Sequence, residues 1–311
     1  MAYFKRRLGE RGCLLSHIQG IPYYYRQFGY EYALPLEGGL RLELRHVPPA
    51  SASPDETFTF RLATSDDVPA LMRWYEEAAQ DLVIRAVREE AIWRYLLTDA
   101  QGTETAGQYW IVQRDGGSEV GYVALPQQHF GEELAVSEVS RLGFEAALAT
   151  LRQLERWAVE RDKPGIRLNL PAGCALMRVA RSLGAHDLGT YAWQIHVPDM
   201  VALLRALTPV LERRIAESPF AGLTRDVRIS LYREAIWLRF EAGRLTNVTN
   251  LGFTAGEPIR FPPLQFIPLV LGYRTREELQ AAYPDVGVAP TWRLLVDTLF
   301  PQVPSFIHTI Y

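Results

Sequence analysis

Two periods alternate along this chain. Apolar residues return every three to four positions from about Gly143 to Glu160 and again from Met200 to Glu217, where Val201, Leu204, Leu207, Leu211 and Ile215 share one face, so both stretches predict amphipathic helices. Val68 to Ala79, opened by Ser65-Asp66-Asp67, and Arg88 to Leu97 predict two shorter helices. Elsewhere the alternation is twofold. Phe58 to Leu62 and Leu134 to Val139 read as strands, and Tyr109–Gln113 with Val120–Leu125 reads as a hairpin across Asp115-Gly-Gly-Ser118. Val227 to Leu231 is a further strand, and Ala235 to Phe240 turns at Glu241-Ala-Gly-Arg244 into Leu245–Thr249. The fold class is therefore α+β, a mixed α/β protein.

The densest chemistry stands at the start. Residues 1 to 11 read as the end of a helix that stops at Gly12, and Leu14 to Ile18 is an apolar run that suits a buried strand. Gly20-Ile-Pro-Tyr-Tyr-Tyr-Arg-Gln-Phe-Gly-Tyr-Glu-Tyr32 then places five tyrosines and a phenylalanine within thirteen residues. Pro22 suits a first helical position and Gly29 a left-handed position past the end, which predicts a helix from Pro22 to Phe28 and an extended segment from Tyr30 to Leu36. Such a cluster can simply fill a core. It can also present hydroxyls beyond a strand end.

The opening pattern returns later. Gly165 to Pro171, a helix from Cys174 to Leu183, and Gly184-Ala-His-Asp187 parallel the first strand, tyrosine helix and Gly29-Tyr-Glu31. Four residues before each glycine stand Tyr25 and Ala180, so the second copy keeps the apolar frame and loses the hydroxyl. Residues 48–57, rich in proline and serine, read as a linker. The chain thus divides into 1–47, a linker at 48–57, a second domain at 58–198 and a third at 199–311.

Composition narrows the function. With 311 residues and 48% hydrophobic content the chain can build real cores, and a net charge of −3 with scattered arginines points to neither nucleic acid nor another polyanion as partner. Cys13 and Cys174 have no neighbour at metal-ligand spacing, and His17, His46 and His308 form no metal or nucleophile pattern, so no metal is expected. The basic N-terminus lacks a following apolar run of signal-peptide length and no window reaches the length of a membrane span, so a cytoplasmic protein without membrane contact is expected.

The stretch from Arg11 to Glu31 resembles the second half of an acetyltransferase domain of the GNAT superfamily, and more narrowly the Eis-type subgroup, in which a tyrosine just ahead of Phe-Gly-Tyr serves as general acid. Tyr25 is the matching residue. Phe261 to Leu279 and the tail Leu299 to Tyr311 resemble the C-terminal domain of the same proteins, which has a sterol-carrier-protein-like fold. The resemblance implies a partial first GNAT domain, a degenerate second one and a sterol-carrier-like third. It implies acetyl transfer from acetyl-CoA, a co-substrate, to a primary amine on a small molecule or peptide, and a tendency to homo-oligomers.

One departure stands out. In the family a loop of the form Gln/Arg-x-x-Gly-x-Gly/Ala holds the pyrophosphate of acetyl-CoA at a helix N-terminus. Arg6 to Arg11 puts arginine at the second small position and lies too late in its helix, so the cradle is expected upstream of Met1 and activity is expected to be impaired. The second copy carries Ser140 to Ala146 in that place, with Glu145 opposing a pyrophosphate. The cofactor-binding residues are therefore not assigned.

The last ten residues contain no acidic residue, lysine or arginine, which favours burial of the tail. In the resembled family the terminal carboxylate enters the first domain's site and takes a proton from the amine, a role that falls to Tyr311. A free C-terminus titrates near about 3.5, and desolvation would move it toward the range a general base needs. The competing class is a non-catalytic binding or scaffolding protein that works through the third domain.

Overall fold

A computed structural model describes residues 1–36, 38–49, 58–189 and 191–308. The chain runs in order through α1 (Ala2–Glu10), β1 (Ser16–Ile18), a 3-10 helix (Tyr24–Phe28), β2 (Glu31–Pro35), β3 (Leu40–Glu43), β4 (Phe58–Leu62), α2 (Val68–Ala79), β5 (Ile84–Arg85), α3 (Glu90–Leu97), β6 (Gly107–Arg114) and β7 (Ser118–Pro126). It continues through β8 (Leu134–Val136), β9 (Glu138–Val139), α4 (Phe144–Glu160), β10 (Gly165–Leu168), α5 (Ala175–Ser182), β11 (His186–Asp187) and β12 (Ala192–His196). The remainder is α6 (Met200–Ala206), α7 (Thr208–Ala216), β13 (Arg225–Ser230), β14 (Ala235–Glu241), β15 (Arg244–Asn250), β16 (Ile259–Arg260), α8 (Pro263–Val270), α9 (Arg276–Ala282), β17 (Gly287–Val288), α10 (Pro290–Leu299) and β18 (Ser305–Phe306).

These elements form two units, neither continuous in sequence. The first joins residues 1–35 to 192–304, and the second joins 36–191 to the tail from Ser305. In the first unit, a five-stranded sheet of order β15-β14-β13-β16-β17 packs its apolar face, with Val227, Ile229, Leu238 and Phe240, against Leu211, Ile215, Phe266 and Leu299 of the helices. The same unit holds a small antiparallel sheet, β1-β12-β2. In the second unit, Leu151, Leu154, Trp157 and Ala158 of α4 close over sheets of order β4-β6-β7-β9 and β11-β3-β10-β8.

The strand orders contain a reciprocal exchange. β12 lies between β1 and β2, whereas β3, which follows β2 in sequence, lies between β10 and β11. Each strand–helix–strand motif of the internal repeat therefore has a strand from elsewhere in the chain between its two arms. Long-range pairing of this kind is set by which edges are free and which faces are apolar, and local sequence does not reveal it.

Several expected elements change on contact with the rest of the fold. The helix expected from Met200 to Glu217 is two helices, because Pro209 lacks the N–H that would continue the first and instead sits in the opening turn of α7. Tyr23 adopts a left-handed conformation, φ 66°, so the tyrosine helix begins at Tyr24 rather than Pro22 and is of the tighter 3-10 type. Leu14 is exposed and the first strand is only Ser16–Ile18, at the edge of its sheet rather than in a buried core. Helix α3 starts at Glu90, leaving Arg88 outside it. Of the expected linker only Pro48 and Pro49 are described, their carbonyls accepting from Arg152, and residues 50–57 lie outside the described residues.

Candidate functional site

The turn between β1 and β2 is built around one glycine. A Cβ added to Gly20 would lie 2.3 Å from Cδ2 of Tyr25 and 3.1 Å from Nε2 of Gln194, so only glycine lets the Tyr25 ring lie on this backbone. At the other end Gly29 has φ 84°, closing the 3-10 helix in the left-handed region as its sequence position predicts. Two side chains from neighbouring strands hold the turn. The Tyr23 N–H donates to the Tyr32 hydroxyl at 3.0 Å, and the Gln194 amide donates to the Ile21 carbonyl at 3.4 Å.

Tyr25 is half-buried in an aromatic frame. Its ring meets Tyr24 edge-on at 5.1 Å, Tyr30 at 5.9 Å and Phe28 at 6.4 Å. Tyr30, fully buried, shares a 3.0 Å hydrogen bond with Ser16 and so has a structural role. The Tyr25 hydroxyl forms no hydrogen bond among the described residues. His196 holds the Gly29 carbonyl at 3.0 Å, which requires its proton on Nδ1, and burial lowers its pKa. Below the tyrosines, Glu31 is buried, pairs with Arg26 at 2.7 Å and accepts from its neighbour's N–H at 3.0 Å and from Gln265 at 3.4 Å. Burial pushes the Glu31 carboxyl up, outweighing the pull of the backbone N–H and Arg26.

The second unit contains no hydroxyl in the corresponding place. Ala180 is fully buried in the core against Leu176 and Met177. The charged chemistry here lies elsewhere, in a buried knot that sequence reasoning missed. Arg88 pairs with Glu138 at 2.7 Å, its guanidinium lies 4.8 Å and 5.0 Å from the ring centroids of Tyr75 and Trp93, and the Tyr122 hydroxyl donates to Glu138. Burial is the largest influence on Glu138 and opposes its charge, but the Arg88 charge, His308 and the hydrogen bonds from Tyr122 and Arg88 together outweigh it, so this carboxyl stays below its ordinary range. Tyr75 is pushed up to about 12 by burial, and its hydroxyl donates to the Ala86 carbonyl.

The tail enters this knot. β18 pairs in parallel with β5, and His308 is buried, its ring 5.4 Å from Tyr75 and 5.0 Å from Phe306. Burial lowers the His308 pKa to about 4. The expected burial of the tail thus holds at Phe306 and His308. Tyr311 lies outside the described residues. Tyr25 belongs to the first unit and the described tail residues to the second. His17 is accounted for by an edge-on contact with Trp193 at 4.7 Å. Among the described residues no group of His, Cys, Asp or Glu could hold a metal ion, and no helix is long and apolar enough to cross a membrane.

The architecture is that of a mixed α/β protein with the GCN5-related N-acetyltransferase fold. It is similar, with a TM-score of 0.64 and 14% identity over 98% of this chain and 75% of the other, to a GCN5-related N-acetyltransferase from Anabaena variabilis. A GCN5-related N-acetyltransferase from Kribbella flavida matches with a TM-score of 0.60 and 15% identity, covering 99% of this chain and 74% of that one. Eis1 from Mycobacterium abscessus matches with a TM-score of 0.55 and 18% identity, covering 99% and 75%. At these identities the likeness establishes the fold. No family model matches the sequence, and no curated protein matches it.

Proposed function

We propose that this chain is an Eis-type N-acetyltransferase that moves an acetyl group from acetyl-CoA to a primary amine on a small molecule or peptide. The observation that carries the reading is the Tyr25 phenol: half-buried, framed by rings on three sides, with its hydroxyl unbonded among the described residues. A tyrosine used only as core normally ties its hydroxyl to a partner, as Tyr30 and Tyr75 do. In the reaction the amine nitrogen attacks the thioester carbonyl and the C–S bond breaks. Tyr25 gives its proton to the departing thiolate, and the proton lost by the amine passes to the carboxylate of Tyr311, the group the resemblance matches to that role.

The same reading takes 1–47 as part of a first GNAT domain, 58–198 as a degenerate second and 199–311 as sterol-carrier-like, in a cytoplasmic protein that forms homo-oligomers. It includes weak activity. Arg6 to Arg11 cannot cradle a pyrophosphate, because this stretch lies within and just past α1 and the Arg11 and Gly12 amides already bond Arg7 and Gly9. The start of α4 carries Glu145 in its first turn, against an anion.

The test is release of CoA thiol from acetyl-CoA across a panel of primary amines, with acetyl-CoA binding measured by calorimetry. Saturable binding and slow transfer are expected, with Tyr25→Phe lowering kcat about 100-fold or more while the unfolding midpoint stays unchanged. Absence of both binding and transfer defeats the reading and leaves the non-catalytic alternative, a binding or scaffolding protein working through residues 199–311.

A further inference from the structure

We propose that Gln194 is a positioning residue for Tyr25, so that strand β12, from far along the chain, completes the site at the tyrosine turn; this rests on the acyl-transfer reading above. Gln194 lies in the middle of β12, facing Ile18 of β1 and Tyr32 of β2, and has no exposed surface. Its Nε2 holds the Ile21 carbonyl at 3.4 Å. The point 3.1 Å from that nitrogen, where a Gly20 Cβ would stand, is 2.3 Å from the Tyr25 ring, so amide, glycine and phenol converge on one backbone position.

Two further observations separate placement from packing. Among the described residues the buried Gln194 Oε1 has no hydrogen-bond partner, so the amide uses only part of its bonding capacity there, and an apolar side chain would serve a purely structural role better. The β12–β2 register also slips at Trp193/Gln194, leaving Ala33 unpaired. Bulges of this kind re-aim a side chain. The turn that Gln194 grips includes Tyr23 in a left-handed conformation, held by Tyr32 and Gln194 together. Losing one grip lets the turn relax and the phenol move, and a displacement of about 1 Å can cost about 100-fold in rate.

The test uses the full chain with Gln194→Met. The unfolding midpoint is expected to stay level or rise, kcat to fall about 10- to 100-fold, and KM to stay within about twofold. In a double-mutant cycle, Gln194→Met with Tyr25→Phe should be no slower than Tyr25→Phe alone. An additive loss overturns the proposal. A second readout does not depend on turnover: with ring-13C tyrosine, the Tyr25 resonance, identified by its loss in Tyr25→Phe, should shift in Gln194→Met while those of Tyr75 and Tyr122 stay in place. An unmoved Tyr25 resonance also overturns the proposal. If the unaltered chain transfers no acetyl group, the acyl-transfer reading falls and the resonance still decides whether Gln194 sets the phenol.

Discussion

Arg88 and Glu138, fifty residues apart, meet at 2.7 Å with side chains only 2% and 3% exposed. Two charges taken so far out of water need each other, because removing one leaves the other desolvated and unpaired. The second unit therefore spends its strongest electrostatics on holding itself together. In the first unit, the Tyr25 hydroxyl, unbonded among the described residues, follows a turn that holds Tyr23 left-handed. The contrast follows the loss of the hydroxyl between Tyr25 and Ala180.

Arg88→Met is expected to destabilise the second unit by about 3–5 kcal/mol, and Arg88→Met with Glu138→Leu to recover most of that loss. Urea unfolding followed by the fluorescence of the tryptophans in this unit is the measurement. A double variant as unstable as the single one contradicts the account.

His308 makes stability depend on pH in a defined window. Its pKa is about 4 when folded and 6.5 ordinarily, so between those values the unfolded chain holds the extra proton and stability falls as pH falls. Above 6.5 the contribution is full. Below about 4 it is gone, a loss of at most about 3 kcal/mol. His308→Phe keeps a ring in the socket and should flatten the profile between pH 6.5 and 4, while Glu138 still titrates lower down. Unfolding midpoints of both proteins across that range decide the matter.

Gly20→Ala should disturb the candidate site more than the fold. The new methyl group would stand 2.3 Å from the Tyr25 ring, which must move. Overpacking of this kind costs about 1–3 kcal/mol. Under the acyl-transfer proposal kcat falls about 10-fold or more, while the same change at Gly173, where a Cβ would meet nothing within 4 Å, leaves kcat unaltered.

Tyr23→Gly tests the strain in the turn. A non-glycine residue held left-handed costs on the order of 1 kcal/mol, and the Tyr23 side chain is 76% exposed, so little packing is lost with it. The unfolding free energy is expected to stay level or rise by up to about 1 kcal/mol. A drop beyond that range shows that the Tyr23 ring, which lies 5.8 Å from the Arg26 guanidinium, contributes more than the strain removes.

How much of this was legible beforehand depended on the range of the interaction. Amphipathic periodicity placed α4, and alternation broken at Glu241-Ala-Gly-Arg244 placed the β14–β15 hairpin, where Ala242 and Gly243 take positive φ. Gly29 marked the end of the tyrosine helix. Arg88 was read as helical because local propensity says nothing of a carboxylate fifty positions on. Gln194 passed unnoticed within an apolar strand, since its meaning lies in Gly20 and Tyr25, more than 160 residues away.

By itself, then, the order of residues determined what neighbouring side chains settle among themselves: helix faces, strand alternation, turn glycines, and a tyrosine cluster whose hydroxyl is absent from its repeat. The tertiary structure alone decided that β12 lies between β1 and β2 and β3 between β10 and β11, that Arg88, Glu138 and His308 share one buried knot, and that Gln194 and Tyr25 converge on Gly20. The physical reason is that strand pairing and charge neutralisation are gained only when surfaces far apart in sequence meet, and a one-residue shift in register would turn a strand residue such as Gln194 or Glu138 to the other face.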